Sequence, residues 1–153
     1  MKCLLIYTAI VCAQGGFLAA QASEDPCCEM KIVAAADSPA RLTVTITNVG
    51  PGVVGLVRTR PDLDYGVSVK ADTGGEVDRT EDFKRLLREP PGGRAVYEEL
   101  GTGESSSEEL DLGKICELKS GTYKVTLAHD VYVGGVKGGI KVSLESTMEL
   151  KIP

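Results

Sequence analysis

Tryptophan is absent from this chain of 153 residues, which has only two phenylalanines and a single histidine. A core made from such a sequence must be aliphatic. With 42% hydrophobic residues there is enough valine, leucine and isoleucine to build one, which excludes disorder of the chain as a whole. The lone His129 excludes two common chemistries. A zinc centre wants a second imidazole or paired thiols beside it, and a Ser-His-Asp apparatus wants a serine at a nucleophile elbow. Neither accompanies His129, so it reads as a satisfied structural side chain. An excess of base is also missing: the formal charge is −5, which disfavours nucleic acid and anionic membranes as partners. No internal repeat is present, no metal or other cofactor is expected, and no catalytic residue is assigned.

A long apolar run is missing as well. The N-terminal stretch from Leu4 to Val11 is followed by Gln14 and Gly15-Gly16 and interrupted by Thr8, short of the roughly 20 residues that span a bilayer. With Lys2 before it and Ala20-Gln21-Ala22 after it, the stretch reads as an export signal over 1–22. Ile10 and Val11 stand where a lipoprotein signal needs a small residue before Cys12, so lipidation is discounted. The expectation is a secreted or periplasmic protein with no membrane insertion after cleavage, a leader over 23–29 and one domain over 30–153.

What is present is alternation. Tyr123, Val125, Leu127, His129, Val131 and Val133 share one parity against Lys124, Thr126 and Asp130, the period of a half-buried strand. Leu110 and Leu112 end the strand before it, and Gly121-Thr122-Tyr123 looks like the corner that enters the next strand of a sandwich. Cys28, Met30, Ile32 and Ala34 make a first strand, and Leu42, Val44 and Ile46 between threonines a second. Val53 to Val57 and Tyr65 to Ala71 follow, the first after the turn at Asn48 to Gly52 and the second closing at Asp72-Thr73-Gly74-Gly75. Ala95 to Leu100 is a short strand, Gly101 to Ser107 a polar loop and Gly134 to Gly139 a glycine-rich hairpin loop expected to be mobile. Ile140 to Ile152 is a long last strand broken only at Ser146. One segment has a different period: Phe83, Leu86 and Leu87 fall at i, i+3 and i+4 after Thr80, with acids early and bases late. That predicts about two turns of helix, stopped by Pro90-Pro91-Gly92-Gly93.

The segments LTVTITN (42–48), DYGVSVKADTGGEV (64–77), GESSSEELDL (103–112) and GTYKVTL (121–127) resemble exported bacterial immunoglobulin-like domains. That group is similar in outline to the sandwich of the Bacillus intracellular proteinase inhibitor. The resemblance implies an all-β, immunoglobulin-like antiparallel two-sheet sandwich with one short helix in a connection. It implies no activity, because the inhibitor's contact loop has no counterpart here. In that strand order Cys28 and Cys116 fall at opposite ends, roughly 20 Å apart at about 3.3 Å per residue, out of disulfide reach. Cys27 and Cys28 then remain as candidate intermolecular thiols of a disulfide-linked dimer.

Two charged groups read as solvated surface. Asp62-Leu63-Asp64, with Asp72 beyond the strand, resembles half a calcium loop without its remaining ligands. Arg58, Arg60, Lys84, Arg85, Arg88 and Arg94 concentrate base on a turn and a helix. In a sandwich the loops at 48–52, 101–107 and 134–139 meet at one end, as antibody loops do. Gly50, Pro51, Glu104, Val136 and Lys137 are therefore the candidate protein-contact residues. The expected function is a non-enzymatic binding or structural module with a protein partner. A proteinase inhibitor is the first alternative, and a small hydrolase, which no triad supports, the second.

Overall fold

The computed structural model describes residues 27–89 and 94–153. The expected export signal, Cys12, most of the expected leader and the expected helix stop at Pro90 to Gly93 lie outside the described residues. The described residues are mostly strand, in two antiparallel sheets that share an apolar core, the arrangement of an all-β sandwich.

The first sheet has the order β1 (Cys28–Ala34), β2 (Arg41–Asn48), β6 (Ser105–Asp111). In β2, residues that are β-branched except for Leu42 hold the extended backbone on both faces: Leu42, Val44 and Ile46 point inward and Thr43, Thr45 and Thr47 outward. The outward row explains one departure from the sequence reading. Ser105 to Ser107 is strand instead of loop, because Thr45 and Thr47 meet Ser107 and Ser105 across the ladder with hydroxyl contacts of 2.8 Å. Serine alone predicts a loop, and the partner strand overrides it.

The second sheet contains β3 (Val54–Arg58), β4 (Gly66–Ala71), β5 (Val96–Leu100), β7 (Gly121–Val133) and β8 (Ile140–Ile152). β7 and β8 pair along all 13 residues. On its other side β7 meets β4 at Tyr123 to Ala128 and β3 at Val131 to Val133, end to end, and β5 pairs outside β3. Tyr123 makes the expected corner. Its hydroxyl donates to the Lys119 carbonyl at 2.8 Å and accepts from the Lys119 amide at 3.0 Å.

Among the described residues there are three short helices where the sequence reading expected one. The expected one, α2 (Glu81–Leu86), is capped by Thr80, whose hydroxyl accepts from the Phe83 amide. Phe83 is buried, but Leu87 is 59% exposed, since the helix stops before that position can face the core. The other two, α1 (Pro61–Asp64) and α3 (Leu112–Ile115), are single turns, too short to show a helical period. Proline begins α1, and the Asp111 carboxylate accepts from the Gly113 amide to begin α3. That cap ends the preceding strand at Asp111, so Leu112 is helical. The turn at Asp72 to Gly75 that closes β4 brings back only one bridge, Lys70 to Glu76. β1 begins at Cys28, the residue with which the alternation opens the first strand.

The buried residues form two clusters. One gathers Leu42, Val44, Val69, Leu110, Leu112, Ile115, Val125, Leu127 and their neighbours, the other Cys28, Ile46, Val54, Leu56, Leu100 and Val131. On β7 the residue between Leu127 and Val131 that faces inward is His129. It is buried, with Nδ1 3.0 Å from the Asp64 carbonyl and its ring 4.8 Å from that of Tyr65. A polar belt continues from there. Arg58, last on the inner row of β3, was expected to be solvated; instead it lies between the sheets. Its Nε meets Glu98 of β5 at 3.1 Å, its Nη1 pairs with Glu108 of β6, and its Nη2 donates to Ser106 at 2.9 Å. Tyr65 donates to the same Glu108 carboxylate at 3.2 Å.

Two predictions follow from this belt. Removing one partner strands the other charge in the core, so Arg58→Ala should cost about 3 kcal/mol in urea denaturation, whereas R58M combined with E108L should lose far less. Burial first, and the Glu108 carboxylate second, push the Tyr65 phenol up to about 12 against the opposing Arg58. Folding thus favours the neutral phenol. The stability this contributes is complete below the ordinary value of 10.0 and is lost as pH rises from there through about 12. The melting temperature should fall across that window, less steeply in Y65F.

Candidate functional site

Asn48 is the last residue of β2 and falls on the inward parity after Leu42, Val44 and Ile46. A buried amide there must find partners for its donors and acceptor. Nδ2 donates to the Gly52 carbonyl at 2.8 Å and to the Leu100 carbonyl at 2.9 Å, and Oδ1 accepts from the Gly50 amide at 3.1 Å. Its backbone amide donates to the Glu104 carbonyl at 3.0 Å and its carbonyl accepts from Gly103 at 2.7 Å. One residue therefore ties the turn at 48–52 to the connection between β5 and β6. Thr102 adds a hydroxyl bond to the Gly50 carbonyl at 3.0 Å. The start of the described chain joins them: the Cys27 carbonyl accepts from both Val49 and Gly50, at 3.0 Å each.

The third loop, between β7 and β8, reaches the same end through the Gly134 amide, which donates to the Val53 carbonyl at 2.8 Å. It then folds down over Gly55 of β3. A Cβ at Gly55 would meet the Val136 amide nitrogen at 2.5 Å, so only glycine lets the loop lie there. The three loops whose meeting the sequence reading expected do come together, with the second reduced to 101–104 by the extension of β6.

The five candidate contact residues have different surroundings. Gly50 is buried and its amide is shared between Asn48 and Cys27. Pro51 and Lys137 are exposed, and Glu104 is exposed with its carboxylate turned back to accept from the Gly101 amide at 2.7 Å. Val136 is half-buried against Gly55. Three apolar side chains that the sequence reading did not single out stand exposed at this end: Val49 at 44%, Val53 at 40% and Ile140 at 74%. Asn48 and Thr102 were also passed over. The signal for Asn48 was in the sequence, as a polar residue continuing the apolar parity of LTVTITN.

Other candidates disperse. Of the thiols, Cys27 is half-buried and Cys28 buried near this end, where Cys28 pairs with Asn48 across the ladder. Cys116 lies beyond β6 at the other end, buried, with Sγ 3.1 Å from Arg79 Nη1. Burial raises its thiol above the ordinary range, with the Arg79 charge opposing. The Asp62 carboxylate is held by Arg60 and that of Asp64 by the Thr59 amide. Lys84 and Arg85 pair with Glu81 and Asp82 on their own helix. An open cleft of about 540 Å³ at the α1, α2 and α3 end carries Arg60, Arg85 and Lys114 beside Asp62, Asp82 and Glu89, a mixture without net sign. Among the described residues no helix is long and apolar enough to cross a membrane.

No family model and no curated protein matches this sequence.

The hub role of Asn48 can be measured. Asn48→Ala removes the donor to the buried Leu100 carbonyl and the acceptor for Gly50, and should cost about 2 to 3 kcal/mol. Amide exchange at Gly50 and Gly103 should accelerate beyond the change in global stability, which locates the loss at this end.

Proposed function

We propose that the protein is an exported, non-enzymatic binding module that holds a protein ligand at the end where its three loops join. The observation that carries this reading is the exposure of Val49, Val53 and Ile140 at the end that also carries exposed Pro51, where Asn48 ties the turn at 48–52 to Leu100 and Gly55 seats Val136. Apolar side chains gathered on a rigid surface are what association with another protein uses. Export rests on the sequence of residues 1–22. The immunoglobulin-like order of the strands is part of the same proposal. It is supported by the pairings β1-β2-β6 and β8-β7-β3-β5 and by the Tyr123 corner.

The test compares capture at the two ends. The intact protein is immobilised and used to recover partners from the extracellular fraction of its source. A V53S/I140S variant should lose the captured protein by at least about tenfold, an effect of about 1.4 kcal/mol. Leu87→Ser, which changes an equally exposed apolar residue at the helical end, should leave capture unchanged. Equal capture by all three proteins removes the loop end as the contact surface. Lys137→Glu is a milder probe of the same surface and should slow association more than it speeds dissociation.

A further inference from the structure

Neighbouring residues of an extended chain point to opposite sides, and Cys27 and Cys28 depart from that rule. Cys28 opens β1 and is 3% exposed in the cluster with Ile46, Val54, Leu56, Leu100 and Val131. Cys27 sits in the bend before the strand and packs against the same cluster. Gly50 leaves the space for it: a Cβ there would stand 3.0 Å from that of Cys27. The two thiols are neighbours on one side of the chain. Burial, then the charge and hydrogen bond of Cys27, push the Cys28 thiol up to about 11. Meanwhile the Cys27 carbonyl anchors the Val49 and Gly50 amides.

We propose that Cys27 and Cys28 form a dithiol site for small disulfide oxidants, and that closing it into a ring releases the Val49-Gly50 turn from the Cys27 carbonyl. Cys27, the more accessible sulfur, attacks one sulfur of the oxidant as its thiolate. The oxidant's S–S bond breaks, one thiolate leaves and takes up a proton, and Cys27 is left in a mixed disulfide. Cys28 then attacks the Cys27 sulfur and expels the second thiol. In balance, two protein S–H bonds become one S–S bond, and the oxidant's S–S bond becomes two S–H bonds. The second step is the slow one, since burial keeps Cys28 protonated, and it accelerates as pH rises toward about 11. Adjacent Cα atoms are about 3.8 Å apart, closer than an ordinary disulfide spans. Ring closure therefore twists the Cys27-Cys28 peptide, turns its carbonyl away from the two amides and leaves a bond that thiols readily reopen. This chemistry stands whether or not the loop end captures a protein.

The test oxidises the full chain with glutathione disulfide at mildly alkaline pH, alkylates what remains and maps the cysteine peptides by mass. The expected product is a monomer lacking two hydrogens in the peptide that carries both cysteines, restored by dithiothreitol, with amide exchange at Val49 and Gly50 faster by about tenfold. Cys27→Ser should abolish the product, and C28S should stop at the glutathione adduct on Cys27. A stable adduct on Cys27 in the unsubstituted chain, or a Cys27-linked dimer in place of the ring, overturns the proposal. A ring formed without faster exchange at Val49 and Gly50 overturns the release.

Discussion

One buried side-chain amide sets the geometry of the end of the molecule where its loops meet. Asn48 occupies an inward position of a strand, where leaving its donors unpaired would cost about 1 to 3 kcal/mol. Only carbonyls from two other segments, Gly52 and Leu100, satisfy them. The turn after β2 and the end of β5 are thus bound to one position, and the connection that starts after Leu100 begins from a defined point. Further bonds at that end add to it: Thr102 to Gly50, Gly50 to Cys27 and Gly134 to Val53. A leucine there would have added apolar burial and left three segments without a common partner.

Farther into the molecule charge does similar work. The inner rows of β3, β5 and β6 carry Arg58, Glu98, Ser106 and Glu108 where an aliphatic core would be expected. These groups pair in charge with one another, so burial does not leave them as isolated charges. They also lie beside an exposed edge. β5 pairs only with β3 among the described strands, and an inward charge on an edge strand discourages a foreign strand from docking. β8 is protected differently, by Lys141, Glu145, Glu149 and Lys151 along its exposed face.

The strands were legible because burial leaves a period of two, and it did so in β2, β4, β7 and β8. Tyr123 was legible for a second reason, since a tyrosine shortly after a glycine at the start of a buried strand has a known place for its hydroxyl. What could not be read were features decided by distant partners. Ser105 to Ser107 became strand because threonines some sixty positions earlier in the chain lay opposite. Arg58 reads as solvated from the sequence because its partners Glu98 and Glu108 are remote along the chain. α1 and α3 escaped because a single turn is shorter than the window in which helical periodicity appears.

The glycine loop shows a use of backbone freedom beside mobility. Glycines widen the conformations open to a chain, and from that alone the segment at 134–139 should be mobile. Here the same freedom lets the loop bend down onto β3, where Gly55 presents no side chain and Val136 fills the space. The Gly139 amide then closes the loop on the Gly135 carbonyl at 3.1 Å. Backbone freedom is thus spent on a close approach, and the loop is held at both its base and its middle. Under the proposed binding role, these contacts lower the conformational entropy that a ligand's association would have to remove. That shifts the emphasis among the loop residues. Val136 packs against Gly55, while Val53 and Ile140 stay exposed and are the side chains that the proposed binding role assigns to a partner.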